Sequence, residues 1–338
     1  MKQILIIKLG AIGDAVRTTS ILKPLKNKHN PCSITWVTKK ESFQLLVNNP
    51  FIDKLVDINN YKILLNKKYD LVISLDDDYD ACELASKLKK KVLVGSFLDE
   101  NNNKTYTKSS ALWFDMGLLG GPDRDILKKA NKRTYQSILF EILGIKYKDE
   151  VPMLDLTKKD LEFGKRFAER FGIKKSDLVL GINTGAGERW ELKRLSEDKT
   201  VDLINRLKKE TETKLILLGG PEETERNKRI LHKIKNKIID GGCNNSLLEF
   251  ATIINLCNLI ITSDSLALHI ALALRKKVVV FFGPTSANEI ALYGLGSKVL
   301  PRGEFLCFYR KKCEHERNCG DLIEINDIIS ATKRLLKK

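Results

Sequence analysis

The sequence predicts an α/β protein made of two doubly wound parallel-sheet domains in tandem. Three observations predict it. At about 150 residues per domain, the 338 residues of the chain make two domains, each large enough for its own core. Short β-branched runs alternate with helical patterns through both halves, the signature of parallel strands joined by crossover helices. Turns carrying Gly, Ser, Thr and Asp follow the strands, where open parallel sheets bind ligands.

In the first half the expected strands are Gln3–Leu9, Ser33–Val37, Leu71–Leu75 and Lys91–Gly95. Helices are expected at Ala15–Lys28 and Ala81–Lys90, with apolar residues at helical spacing and lysines in the late turns. The Asn- and Lys-rich stretch Asp99–Lys108 has no periodicity, and Gly120-Gly121-Pro122 is a second breaker. Asp99–Lys132 therefore reads as a long, partly irregular excursion of the kind that often carries function. A helix over Tyr135–Leu143 stops at Gly144. The charged, Pro152-containing run Lys146–Leu156 is the linker candidate, dividing the chain into domains 1–150 and 151–338.

After a helix ending near Gly172, the second series has strands at Leu178–Asn183, Lys214–Gly219, Leu259–Thr262 and Lys277–Phe282. The helices expected after them are Asp198–Lys209, Glu222–Lys235, Ser265–Leu274 and Ala287–Leu292. A last helix, Ile325–Lys337, closes the chain, and its return onto the first domain is left open.

Composition narrows the function classes. With 43% hydrophobic and 30% charged residues, the chain is neither disordered nor fibrous. The longest apolar runs, such as Val278–Phe282, fall far short of the ~20 residues of a membrane span. Lys8 interrupts the first apolar run, and Asp14 follows where a signal peptide carries small uncharged residues. The expectation is a cytoplasmic location. The net charge of +16 favours anionic partners: nucleic acid, anionic lipid or phosphorylated small molecules. No zinc-finger or RNA-recognition signature appears, and the lysines are dispersed in short clusters, as on a solvated face.

Seven cysteines are too few for a disulfide scaffold. Cys32, Cys82, Cys243 and Cys257 are scattered and read as core or edge thiols, while Cys307, Cys313 and Cys319 recur in a polar loop with His315. A Cys3His zinc clip is one reading of that loop. Zinc sites usually carry a C-x2–4-C pair, so unpaired or redox-labile thiols are preferred and no metal is expected.

Five strand-to-helix turns carry distinctive residues. Lys8-Leu9-Gly10-Ala11-Ile12-Gly13-Asp14 follows strand one. Its glycines allow a tight turn, and Asp14 is either a helix cap or a carboxylate facing the cleft between two domains. Asn183–Trp190, continuing to Lys193-Arg194, joins small residues to cations and suits a diphosphate. The third turn is Gly219-Gly220-Pro221-Glu222-Glu223, where a carboxylate after a strand suits ribose hydroxyls or a helix dipole. Thr262-Ser263-Asp264-Ser265, with His269 one turn on, offers hydroxyls at a helix start; His269 is either a buried structural residue or a ligand contact. Gly283-Pro284-Thr285-Ser286 is the fifth. Four such turns on one sheet edge point to a nucleotide diphosphate site.

Taken in order and spacing, Ile4–Thr19 (ILIIKLGAIGDAVRTT), Asn183–Leu195, Leu217–Glu223, Thr262–His269 and Phe282–Thr285 resemble glycosyltransferase family 9. This is the ADP-heptose heptosyltransferase family of lipopolysaccharide core assembly, and the resemblance covers essentially the whole chain. It implies a GT-B fold: two Rossmann-like domains facing a cleft, the acceptor site in the first and the nucleotide-sugar site in the second. It also implies inverting transfer without metal or cofactor. By position, Asp14 matches the family's catalytic base, Lys193 a lysine on the donor phosphates, and Glu223 the acidic ribose ligand, with Glu222 as the alternative. Asp264 and His269 match an S-D-S/T-G-x-x-H element near the donor. Thr184, Gly185, Ser263, Ser265, Gly283, Pro284 and Thr285 complete the expected donor set; Lys8, Gly13, Arg17 and Thr18 form the expected acceptor set. The chain departs from the pattern at Leu195 (commonly Trp), Leu266 (commonly Gly) and Ala267 (often Pro).

The expected reaction follows from these roles. Asp14 takes the proton of an acceptor hydroxyl as it attacks the anomeric carbon, and Lys193 with helix N-termini stabilises the departing diphosphate. Asp76, Asp77, Asp78 and Asp80 read as acceptor-side or solvated carboxylates rather than a metal site. The implied partners are a nucleotide-diphosphate sugar, an anionic glycolipid or glycan acceptor walled by Asp99–Lys132, and the cytoplasmic face of an anionic inner membrane; nucleic acid is not expected. Competing readings are a nucleotide-sugar epimerase or hydrolase of the same fold, which needs no acceptor, and a basic nucleic-acid-binding protein, whose binding would be steeply salt-dependent.

Overall fold

The computed structural model describes residues 1–303, 308, 313 and 318–337, and for residues 188–190 the backbone only. The chain divides into two compact units, Met1–Asp155 with Asn288–Ala291, and Leu156–Ala287 with Leu292–Lys338.

The first unit holds a sheet of β1 (Lys2–Ile7), β2 (Cys32–Thr38), β3 (Lys54–Asp57), β4 (Lys68–Ser74), β5 (Lys89–Leu98) and β6 (Lys104–Tyr106), ordered β3-β2-β1-β4-β5-β6. All pairs are parallel except β5 with β6. Side chains alternate across a strand, and both faces of the central strands are covered, so their buried stretches are apolar on both sides. Ile4, Ile6, Ile34, Trp36 and Ile73 pack under Leu22, Leu25, Tyr135 and Phe140. Leu5, Ile7, Val37 and Val72 pack under Ala81, Leu84 and Ala85.

The second unit repeats the plan with β7 (Val179–Asn183), β8 (Lys214–Leu218), β9 (Ile239–Asp240), β10 (Leu259–Ser263), β11 (Lys277–Phe281) and β12 (Gly296–Val299), ordered β12-β11-β10-β7-β8-β9 and parallel throughout. One face carries Leu180, Ile182, Leu215, Leu217, Leu259, Ile261 and Val279 against Leu203, Ile204, Leu207 and Ile230. The closing helix Ile325–Lys337 contributes Ile325, Ile328, Ile329 and Ala331 to this same core.

Several expected elements are corrected. The helix expected over Ala15–Lys28 is broken into Ile12–Thr18, the 3-10 turn Thr19–Ile21 and Leu22–Lys28. Three consecutive hydroxyls cause the break by donating back to carbonyls three or four residues earlier: Thr18 to Asp14 (2.6 Å), Thr19 to Val16 (2.7 Å) and Ser20 to Arg17 (3.1 Å). Helix Tyr79–Lys87 stops before Lys89–Lys91, which begin β5. The aperiodic Asp99–Lys108 is a hairpin: the Asp99 carboxylate accepts from the Asn101 and Asn103 amides, and Asn102 sits at φ 60°. Rather than the helix Ala287–Leu292, a single 3-10 turn, Ala287–Glu289, precedes β12.

Candidate active site

In each sheet the strand order reverses beside the strand that comes first in that unit, β1 against β4 and β7 against β10. At such a switch point the loops leaving the carboxyl ends of the two central strands diverge and leave a crevice. Both switch points carry the charged residues that the sequence singles out.

At the first, β1 runs into Lys8–Ala11 and the helix Ile12–Thr18. Asp14 lies in the first turn of that helix but does not cap it; the N-cap is Ala11, which forms no side-chain bond. The Asp14 carboxylate instead forms an ion pair with Arg17, whose Nε lies 2.9 Å away, and keeps 34% of its side chain exposed. Arg17 lies 4.0 Å above the Tyr135 ring, a cation–π contact that adds to the ion pair in fixing the guanidinium. Thr18, fully buried, donates to the Asp14 carbonyl and shares a 2.8 Å hydrogen bond with the Tyr135 hydroxyl. Gly13 is buried in the same helix.

Lys8 is not open to a ligand. It is buried and paired with Asp76, the second residue beyond β4. Burial alone would lower the Lys8 pKa, but Asp76, with Tyr135 and Asp14 adding to it, outweighs that cost and raises it. The same Asp76 carboxylate accepts from the Leu9 amide and from the Gly10 amide at 3.1 Å. Burial pushes the carboxyl of its neighbour Asp77 up.

At the second switch point neutral hydrogen bonds work beside ion pairs. Asn183 Nδ2 donates to Gly185 O (2.9 Å), Thr262 Oγ1 (3.1 Å) and Ser265 Oγ (3.3 Å), tying the loop after β7 to the one after β10. Thr184 Oγ1 donates to Asn227 Oδ1 at 2.6 Å. A Cβ on Gly185 would lie 2.6 Å from Glu223 Oε2, and one on Gly283 2.5 Å from Leu192 O. These glycines let the loops after β8 and β11 close against the loop after β7.

Lys193, Asp264 and His269 are brought together on this frame. Lys193 Nζ donates to Asp264 O (3.0 Å) and reaches its Oδ2 at 3.4 Å, while His269 Nε2 lies 3.6 Å from Oδ1. Ser265 occupies the N-cap of helix Leu266–Ala273 without a capping bond, because its hydroxyl is engaged with Thr262 and Asn183. Ser263, Pro284 and Thr285 are buried nearby in the chain's same turns. Glu223 is buried, accepting from the Gly220 amide at 2.9 Å and lying 3.6 Å from Arg194 Nη2. Glu222 is exposed. Of the departures noted in the sequence, Leu195 is a core residue and Ala267 is buried.

Sequence reasoning left Asp76 without a definite role and missed Tyr135 and Asn227. The last two stand on helices 117 and 43 residues from their partners, a separation no local motif spans. Cys307 and His315 lie outside the described residues; Cys319 is buried and Cys313 half-buried. Among the described residues, no three His, Cys, Asp or Glu side chains are grouped to hold a metal ion.

Comparison with known proteins agrees with the two-sheet fold. The family model of glycosyltransferase family 9 (heptosyltransferase) matches residues 60–315. The lipopolysaccharide heptosyltransferase 1 of Campylobacter coli is 25% identical over 351 aligned residues, covering 98% of each chain. Among solved structures, the family 9 glycosyl transferase from Veillonella parvula has a TM-score of 0.79 at 20% identity, covering 99% of this chain and 97% of that one. The E. coli ADP-heptose lipopolysaccharide heptosyltransferase II has a TM-score of 0.69 at 17% identity, covering 100% and 99%.

Proposed function

The chain belongs to glycosyltransferase family 9 and is a glycosyltransferase, and from that premise we propose that it moves a heptose or related sugar from ADP-heptose to a lipopolysaccharide-core or similar cell-surface glycan, with inversion and without a metal. The observation that carries this reading is the contrast between the two switch points. One presents a part-exposed carboxylate, Asp14. The other presents a lysine beside a helix start that no side chain caps. The donor and its heptose are the chemistry named for the E. coli structural relative.

Asp14 is then the general base for the acceptor hydroxyl, a role typically worth ~10²–10⁴-fold in rate. Arg17 holds its carboxylate in one orientation, and Lys8 and Thr18 act from behind it rather than on the acceptor. Gly13 and Arg17 remain the acceptor-side residues. Lys193 and the first amides of helix Leu266–Ala273 take up the charge of the departing diphosphate. Asp264 and His269 place Lys193, and Glu223 or the exposed Glu222 takes the ribose hydroxyls. Thr184, Gly185, Ser263, Ser265, Gly283, Pro284 and Thr285 shape the diphosphate pocket.

A thermal-shift panel of ADP-, UDP-, GDP- and CDP-sugars tests the donor. Stabilisation by the ADP-sugar alone is expected, and selective stabilisation by another base overturns it. Product analysis then separates transfer from its alternatives, because release of free sugar or an epimer without acceptor would contradict a transferase. Turnover unchanged by EDTA is expected, and loss restored by a divalent cation would refute metal independence.

Among the described residues no helix is long and apolar enough to cross a membrane. Peripheral contact with an anionic membrane is supported by the excursion itself, where Leu112, Leu118, Ile126 and Leu127 are exposed among the exposed lysines 104, 108, 129 and 132. Apolar side chains and basic residues together suit an anionic interface. Co-sedimentation with phosphatidylglycerol vesicles, weakened by Leu118→Ser/Ile126→Ser, is expected; equal recovery with neutral vesicles or none removes the contact.

A further inference from the structure

We infer that Asp76 is a positioning residue, a buried carboxylate that clamps the loop ahead of Asp14 to the end of β4 and so sets where the Asp14 carboxylate stands. The inference rests on Asp14 as the base and extends it to a residue outside the Asp14 motif.

Three donors converge on this one side chain, and all come from consecutive residues of a single loop: Lys8 Nζ, the Leu9 amide and the Gly10 amide. Asp76 is itself held, since Ser96 Oγ donates to its carbonyl and lies 3.0 Å from Ser74 Oγ. The loop fits the clamp closely, because a Cβ on Gly10 would lie 2.8 Å from Asp76 Oδ1 and 3.3 Å from Lys8 Nζ. Beyond Gly10 one residue remains before the helix, and the Asp14 amide donates to Ala11 O at 2.8 Å. Ala11 has no side chain to cap that helix. The anchoring that a capping residue ordinarily gives a helix start falls here to the two amides bound by Asp76. A neutral side chain is a poor replacement: Lys8 would be left buried without its counter-charge, and the NH2 of an asparagine would face donors instead of accepting from them.

The test compares Asp76→Asn with wild type by amide hydrogen exchange across residues 3–14 and by transfer kinetics. Faster exchange at Leu9 and Gly10, a kcat lower by roughly tenfold to a hundredfold, and a donor KM within about twofold are expected, since an ångström of misplacement costs about that much. If Asp76→Asn fails to fold, Lys8→Met/Asp76→Leu removes both charges together, and the same losses are expected from it. Unchanged exchange in a folded variant overturns the clamp. Faster exchange with unchanged kcat overturns the positioning role. Asp14→Asn assayed alongside separates the two readings: normal turnover by that variant removes the base, whereas its loss together with a normal Asp76→Asn leaves the base standing and overturns only the inference.

Discussion

The two sheets of this protein share a plan and differ in what is set upon it. Counted from the first strand of each unit, both run 3-2-1-4-5-6, so both place a crevice beside their first strand. At the first, an ionic clamp of Asp76 on Lys8 holds the loop and a carboxylate is left part-exposed. At the second, hydrogen bonds of Asn183, Thr184 and Asn227 tie the loops together, and the Lys193–Asp264 pair, with His269 beside it, joins the same loops. The scaffold supplies only the position. The residues following each strand decide which charged groups stand there.

That division is broken most severely at its two ends. Asp14→Asn is expected to lower kcat by roughly 10²–10⁴-fold, measured as sugar transfer at saturating donor; a kcat within twofold of wild type would detach the first switch point from the chemistry. Lys193→Ala is expected to lower kcat/KM by about 10²-fold, in the range of a lost electrostatic donor, and a change confined to stability would mark Lys193 as structural. Gly185→Ala sharpens the comparison more gently. The new methyl meets the Glu223 carboxylate, so a loss of about 1–3 kcal/mol in stability and weaker donor binding are expected, with no change in the first unit's exchange behaviour.

The smallest effect tests the ionic clamp of the first unit by pH. The Lys8 pKa stands above its ordinary value of 10.5. Stability from its charge is therefore fully present below pH 10.5 and is lost only as the pH rises through the higher folded value. The first unit should keep its melting temperature from pH 7 to 10 and lose stability in stronger alkali. In Lys8→Met/Asp76→Leu that alkaline loss should shrink, and an identical pH profile for the two proteins would show that the pair contributes nothing.

The central strands were legible because buried parallel strands are continuous β-branched runs, as in Val278–Val280 and Ile4–Ile7. The edges were not. β3, β9 and β12 have four residues or fewer and little apolar pattern, and the helix Leu247–Leu256 is too evenly apolar to show a periodicity, although Ser246 and Glu249 form a capping box at its start. Candidate site residues were singled out by their place in the loop or helix that comes after a strand: Asp264 directly after β10, Asp14 and His269 in the helices after β1 and β10, and Lys193 at the end of the 3-10 helix after β7. Asp76 also follows a strand, but within the acidic run Asp76–Asp80 nothing local separates a buried clamp from a solvated carboxylate. Only the fold, which sets β4 beside β1, makes that distinction.

The most direct test of the division of labour is a titration of ADP into Asp14→Asn and Lys193→Ala under identical conditions. The two-site account predicts wild-type ADP affinity in Asp14→Asn and about tenfold or greater weakening in Lys193→Ala, since a lysine on a phosphate is a charge-assisted contact. Weakened ADP binding in Asp14→Asn with full affinity in Lys193→Ala would contradict it.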